Sequence, residues 1–140
     1  MKLTWELIDS LTDSIYQQTK DSEYDVIVGV SRGGLVPSTI LSHKLGVPLQ
    51  TVNWQTRDGD NREVGSLFKL AVKYQKLLIV DDICDTGVTI RDMTELCKDR
   101  ADFAVLVNKQ PDSGLVSYQG TEYQGNEWVV FPWETINEKV

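Results

Sequence analysis

The sequence predicts an α/β fold with a mainly parallel central sheet and helices on both of its faces. Three observations carry this reading. Short aliphatic runs at residues 25–30, 77–80 and 101–107 have the length and composition of buried strands. Segments with helical spacing separate them, and strands that alternate with helices pair in parallel through crossover connections. Two of the runs lead straight into polar, glycine-bearing loops, Ser31-Arg32-Gly33-Gly34 and Asp85-Thr86-Gly87-Val88-Thr89.

Taken in order, Thr4 is a helix N-cap, with Glu6 in the first turn where a carboxylate suits the helix dipole. Trp5, Ile8, Leu11 or Thr12, and Ile15 recur at helical spacing, so a helix to about Gln18 lays one face on the core. Asp21-Ser22-Glu23 reads as a polar turn. Asp25-Val26-Ile27-Val28-Gly29-Val30 is the first core strand, and a helical pattern runs to Leu45 after the Arg32 loop. A guanidinium beside two glycines suits a phosphate group, because Arg binds two oxygens at once. The other reading of that loop is a glycine turn with an exposed Arg. His43 stands alone in the helix and reads as a surface residue.

Residues 47–54 read as a strand. The chain then turns polar from Gln55 to Ser66, a length that marks a lid or a disordered segment. Arg57 and Arg62 would reach a polyphosphate if it closes; a solvated hairpin is the alternative. Leu77-Leu78-Ile79-Val80 is the central strand, with Asp81 and Asp82 placed where it should end. The following loop opens a helix from about residue 89 to 97. Strand, small loop and helix together aim N–H groups at one point, which makes an anion site. Thr86 and Thr89 add hydroxyls, and Gly87 admits a ligand or an unusual φ close to the backbone. Acids flank this anion site. A phosphorylated sugar suits both, with phosphate in the loop and hydroxyls on the carboxylates; the alternative is an acidic strand end with a capped helix. Residues 101–107 form another strand and place Lys109 at its end, where ligands collect in open α/β sheets. Residues 118–123 and 128–131 read as short strands of a small flap that ends at Pro132-Trp133-Glu134. Trp128 either stacks on a flat ligand or belongs to the core.

Composition narrows the function. A chain of 140 residues, 41% apolar, fits one domain with a sizeable core. No apolar run approaches the roughly 20 residues of a membrane span, and the first residues lack the apolar stretch of a signal peptide. The expectation is a cytoplasmic protein with Cys84 and Cys97 as free thiols. No Cys/His cluster suggests zinc. A net charge of −7 argues against nucleic-acid binding but not against a small anionic substrate held by local arginines and Mg²⁺.

The run Leu77-Leu78-Ile79-Val80-Asp81-Asp82-Ile83-Cys84-Asp85-Thr86-Gly87-Val88-Thr89-Ile90 resembles the phosphoribosyl pyrophosphate (PRPP) motif of type I phosphoribosyltransferases. Over nearly its whole length the chain is similar to the bacterial xanthine-guanine phosphoribosyltransferases. Thr4-Trp5 resembles their first helix start, Val30 through Pro37 their pyrophosphate loop, and Asn61-Arg62-Glu63 part of their mobile loop. Lys109 falls at their base-recognition lysine, Trp128-Val129 at their Trp-Ile pair, and Pro132-Trp133-Glu134 at a Pro-Trp-Asp. Val129-Val130-Phe131 departs from the pattern after the tryptophan and leaves the exact base preference open.

The resemblance implies a type I phosphoribosyltransferase fold over residues 1–140, with a small C-terminal hood and a mobile loop. It implies purine salvage: transfer of phosphoribosyl from PRPP to a 6-oxopurine, with Mg²⁺ as cofactor. Asp85 is implied as general base or hydrogen-bond partner at purine N7. PRPP falls to Arg32, Gly33, Arg62, Asp81, Asp82, Asp85, Thr86, Gly87, Val88 and Thr89. The base falls to Lys109, Trp128 and Val129, and the metal to Asp82, with Glu134 a further candidate. A homodimer or homotetramer is implied, with no nucleic acid and no membrane span. Two rivals keep PRPP: a nucleotide-binding regulator of the same fold, and a transferase acting on another base. A phosphoacceptor receiver domain would also show acidic strand ends, but needs neither the Arg32 loop nor the Thr86–Thr89 hydroxyls.

Overall fold

The computed structural model describes residues 1–55 and 61–137. Helix α1 (Trp5–Thr19) is followed by β1 (Val26–Ser31), α2 (Leu35–Leu45), β2 (Leu49–Asn53), α3 (Val64–Lys73), β3 (Leu77–Cys84), α4 (Val88–Cys97), β4 (Ala101–Asn108) and β5 (Tyr118–Glu122). Short 3₁₀ turns occupy Lys98–Arg100 and Pro132–Asn137. The five strands lie in the order β2-β1-β3-β4-β5, and every neighbouring pair is parallel.

Period-2 alternation in the central strands sorts the core into two layers. Leu77 and Ile79 of β3 point into the α3/α4 layer with Leu67, Ala71, Ile90 and Met93. Leu78 and Val80 point into the α1/α2 layer with Ile8, Ile15 and Leu41. Both faces of β1 and β3 are covered, so these strands read as unbroken apolar runs. Helix α1 begins as its sequence predicts: Thr4 Oγ1 accepts from the Leu7 N–H at 3.2 Å. Thr12 and Thr19 are buried on its core face, and each hydroxyl donates back along the helix, to the Ile8 and Ile15 carbonyls at 2.7 and 2.9 Å. The polar atoms are thereby satisfied without leaving the core. Helix α2 ends on Gly46 at φ +67°, the left-handed stop that glycine makes cheaply.

Four expectations change. Strand β3 does not stop at Val80. Its partner β1 drops away after Gly29, but β4 continues alongside and pairs with Asp81, Ile83 and Cys84. The two acids are therefore inside the ladder. Second, Val64, Gly65 and Ser66 are not lid: they open α3, whose Leu67 and Ala71 are buried. An apolar stripe starting at Val64 outweighs the polar run that precedes it. Third, residues 118–122 are not a flap strand but the fifth strand of the main sheet, in register with β4. Fourth, residues 128–131 form no strand; they make one parallel bridge, Lys2 to Val130. The middle of the polar stretch, residues 56–60 with Arg57, lies outside the described residues.

Candidate active site

Parallel strands send all their C-terminal ends to one edge, and the site is built there. The end of β1 supplies Arg32 and Gly33, the end of β3 the acids and the Asp85 loop, and the end of β4 Lys109. A cavity of about 410 Å³ opens at this edge, lined by Asp81 through Ile90, Lys109, residues 126–129, Phe131 and Glu134. Asp81, Asp82, Asp85, Thr86, Gly87, Val88, Thr89, Lys109, Trp128, Val129 and Glu134 thus converge on one space.

Loop 85–89 delivers the N-terminus of α4. Gly87 sits at the helix N-cap with φ +90°, and a Cβ there would press on the Leu115 side chain. No side chain caps α4. Its first N–H groups and the Thr86 and Thr89 hydroxyls are suited to an anion. Thr86 Oγ1 accepts from the Val88 N–H at 3.4 Å.

Beneath the loop, Asp81 and Asp82 are adjacent. Asp81 Oδ1 accepts from the Asp82 N–H at 2.8 Å. Burial, and then the charge of Asp82, pushes the Asp81 carboxyl well above its usual range. Burial also raises Asp82, and the charge of Glu134 adds to it. Two carboxylates here are short of positive charge. Gly33 lies against this pair: any Cβ at that position would collide with the Asp82 carboxylate. The glycine is what lets the Arg32 loop come so close. The Ser31–Arg32 peptide is cis.

Across the cavity, Lys109 Nζ lies 3.1 Å from Asp85 Oδ1. The Lys109 N–H donates to the Cys84 carbonyl at 2.9 Å, so the ladder itself sets where the lysine leaves β4. Two residues with no sequence signal of their own support this pair. Gln110 Nε2 donates to the Asp85 carbonyl at 3.0 Å. Buried Asn108 accepts from the Gln110 N–H at 2.9 Å and donates to Gln119 Oε1 at 2.9 Å. The hood closes the cavity. Trp128 is 69% exposed, so the core reading of this residue is overturned, while Val129 behind it is 7% exposed. Val130 is tied at both backbone groups, donating to the Met1 carbonyl at 2.8 Å and accepting from the Leu3 N–H at 2.9 Å. Glu134 Oε1 accepts from the Phe131 N–H at 2.8 Å and so fixes the last turn of the hood.

Arg62 is placed elsewhere. It pairs with Asp92 of α4 at 3.4 Å, in a groove outside the main cavity. The base of its segment is closed: the Glu63 N–H donates to the Asn53 carbonyl at 2.9 Å, and the Asn53 N–H to Glu63 Oε1 at 2.6 Å. Among the described residues no cluster of three or more His, Cys, Asp or Glu is arranged to hold a metal alone, and no helix is long and apolar enough to cross a membrane.

Residues 3–138 match the family described as phosphoribosyl transferase domain. The chain is 31% identical to a xanthine-guanine phosphoribosyltransferase of Gluconobacter oxydans, over 95% of this chain and 83% of that one. It superposes on a purine phosphoribosyltransferase of Pyrococcus horikoshii with a TM-score of 0.73 at 28% identity, covering 96% of this chain and 93% of the other. A xanthine-guanine-hypoxanthine phosphoribosyltransferase of Helicobacter pylori shares the fold, with a TM-score of 0.71 at 17% identity over 99% and 95% of the two chains.

Two outcomes follow from this geometry. A carboxyl whose folded pKa is raised favours the folded state below the ordinary carboxylate range and loses that contribution as pH rises through the raised value. At neutral pH the charge of Asp81 therefore opposes folding. Asp81→Asn keeps an acceptor for the Asp82 N–H and removes the charge, so thermal unfolding at pH 7 without ligand should show a gain of about 0.5–2 kcal/mol. An unchanged or lower melting temperature would contradict the assigned burial. Gln110→Ala removes one neutral hydrogen bond, about 0.5–1.5 kcal/mol. Turnover on the base should fall roughly 2–10-fold with KM for PRPP unchanged, as steady-state kinetics will read.

Proposed function

For a chain that belongs to the phosphoribosyltransferase family, we propose a purine-salvage enzyme that transfers the 5-phosphoribosyl group of PRPP to a 6-oxopurine and releases pyrophosphate. One observation carries the choice of base: the Lys109–Asp85 pair at the mouth of the phosphate loop. An ammonium only donates and a carboxylate only accepts. A 6-oxopurine with a proton on N7 offers the reverse pattern, an acceptor at O6 beside a donor at N7. The base can replace the pair's mutual contact with two matched ones. Adenine presents an amino group to the ammonium and leaves it unmatched. Guanine, xanthine and hypoxanthine share the 6-oxo group and differ at C2.

In the reaction the bond from C1′ to the pyrophosphate oxygen breaks, and its electron pair leaves with pyrophosphate. Purine N9 donates the pair that forms the new C1′–N9 bond. The N7 proton passes to Asp85, which keeps electron density on N9. Oxocarbenium-like charge develops on the ribose, as in glycoside cleavage. Asp81 and Asp82, inside the sheet edge, are placed to bind the ribose hydroxyls and to stabilise that charge. Loop 85–89 takes the 5′-phosphate. Arg32 and Gly33 take pyrophosphate, joined by Arg62 when it exchanges Asp92 for the ligand. Trp128 stacks on the base, and the main chain at Val129 reads its far edge.

Mg²⁺ fits this donor set. Asp81 and Asp82 are half-buried at the cavity wall and short of positive charge, and the described residues build no full protein cage. Mg²⁺ binds through one or two carboxylates and fills its shell with substrate oxygens and water. Asp82 would hold it, with Glu134 the further candidate, and bound Mg²⁺ would offset charge on pyrophosphate. The reading also takes residues 1–140 as one domain of a cytoplasmic homo-oligomer without a nucleic-acid partner.

The direct test offers each base with PRPP and Mg²⁺ and follows nucleotide formation. An unmatched contact to a charged group costs about 1.5–3 kcal/mol, or roughly 10–150-fold. The 6-oxopurines should be preferred over adenine and uracil by that factor, and Lys109→Ala should raise KM for the base far more than KM for PRPP. Best activity on adenine or uracil would refute the base assignment. Asp85→Asn should bind PRPP and lose roughly 10²–10⁴ in turnover; wild-type kcat in that variant would remove Asp85 from the mechanism.

A further inference from the structure

Among the described residues two buried side-chain polar atoms have no hydrogen-bond partner, Asn53 Oδ1 and Trp54 Nε1. Folded proteins seldom leave such atoms unpaired without a use for them. These two are neighbours just at and beyond the end of β2, and the period of the strand sends them to opposite faces of the sheet. Trp54 joins Val52 in the α3/α4 layer. Asn53 falls on the other side, with Leu49 of the α1/α2 layer. Its partner across the ladder is Ser31, the last residue of β1, and Ser31 leads straight into Arg32 and Gly33. The Asn53 backbone is fully engaged on the outer side of the sheet: its N–H donates to Glu63 Oε1 at 2.6 Å, and its carbonyl accepts from the Glu63 N–H at 2.9 Å. The main chain is thus fixed while the amide oxygen is left over.

The Arg32 loop is pinned over the same sheet end. The Gly34 N–H donates to the Val30 carbonyl at 2.8 Å, and the Leu35 N–H to the Arg32 carbonyl at 3.1 Å. Its two flanks differ in charge. On the β3 side the Asp82 carboxylate stands where a Cβ of Gly33 would be, and it repels an anion held by the loop. On the β2 side Asn53 brings a neutral amide at the level of Ser31. An anion at Arg32 is therefore favoured toward Asn53. We propose that Asn53 is a further pyrophosphate-binding residue, its side-chain NH₂ donating to a pyrophosphate oxygen of PRPP beside Arg32. Pyrophosphate oxygens only accept, and the amide presents its donors by turning end for end; no hydrogen bond at the buried oxygen opposes that turn. The assignment rests on the phosphoribosyltransferase reading and adds a residue to it.

Calorimetry with PRPP, with inorganic pyrophosphate and with ribose 5-phosphate, each in Mg²⁺, tests the contact. Asn53→Ala should weaken PRPP and pyrophosphate about tenfold or more, the low end for a hydrogen bond to a charged group. Ribose 5-phosphate lacks the pyrophosphate, and its affinity should hold. Asn53→Asp keeps the shape, replaces the donors by a negative charge and should weaken both pyrophosphate ligands further. The ligand-free melting temperature of Asn53→Ala should stay level or rise, because an unpaired buried acceptor is removed; an amide that only supports the fold would lower it. Wild-type PRPP affinity in either variant would overturn the assignment, and so would an equal loss for ribose 5-phosphate or a lower melting temperature. A wild type that binds neither PRPP nor pyrophosphate would take the phosphoribosyltransferase reading down as well, which separates the two failures.

Discussion

Two neighbouring carboxylates held inside a sheet edge are the constraint on which the site depends. Asp81 and Asp82 stand in β3 where β4 still pairs with it and β1 no longer does. That position gives them rigid backbone support and leaves them half-buried at the cavity wall. Their charge is costly there, as the raised carboxyls show. A fold does not keep adjoining, partly desolvated acids for stability, since replacing desolvated charge by neutral groups is commonly neutral or better. Their cost is intelligible if cationic partners arrive with the substrate. The surrounding parts agree with that: Gly33 removes its side chain from in front of Asp82, and Glu134 adds negative charge instead of relieving it.

The opposite wall of the cavity follows another logic. Lys109 and Asp85 satisfy each other without ligand, so neither waits unpaired. Both emerge from main chain held by a hydrogen bond, the Lys109 N–H donating to the Cys84 carbonyl and the Asp85 carbonyl accepting from the Gln110 side chain. The pair is only partly buried, which keeps the exchange of its contact for a base inexpensive. Specificity then comes from the order of donor and acceptor along the wall, which the two side chains define together and neither defines alone.

Much of this was legible from the chain, and the reasons differ by part. Runs such as Val26-Ile27-Val28 are buried on both faces, so composition alone marked them as parallel strands. The acid pair, the Thr86–Thr89 loop and Lys109 were visible because charges and hydroxyls at strand ends are rare except for binding. The end of β3 was not visible: pairing of Asp81 to Cys84 depends on how far β4 runs, a non-local fact. Helix α3 was masked by the polar stretch before it, although Val64, Leu67 and Ala71 carried the period. β5 was misread because Tyr118-Gln119-Gly120-Thr121-Glu122 is half-polar, as an edge strand can be, and resembles a flap in composition. Gln110 and Asn108 act through single hydrogen bonds across the chain, which no local pattern encodes. The position of Arg62 beside Asp92 likewise depends on α3 packing against α4.

The hood shows how a weakly patterned segment can still be placed firmly. Residues 128–131 make no strand, yet Val130 is bonded at both N–H and C=O to the first residues of the chain, and Phe131 to Glu134. Phe131 also stacks on Trp133 with ring centroids 5.0 Å apart and only 10° between planes. With the Trp128 carbonyl accepting from the Met1 ammonium at 2.8 Å, these anchors hold the backbone on both sides of Val129 and leave the Trp128 ring exposed at the cavity wall. The Val129 and Phe131 side chains are buried in the core. Departure of these residues from the family pattern is therefore absorbed mainly by packing, while the exposed Trp128 indole stays at the cavity wall. A segment built this way tolerates drift in its letters as long as its volume and its backbone bonds persist, which is why the resemblance could fade at Val129-Val130-Phe131 without the wall of the cavity being lost.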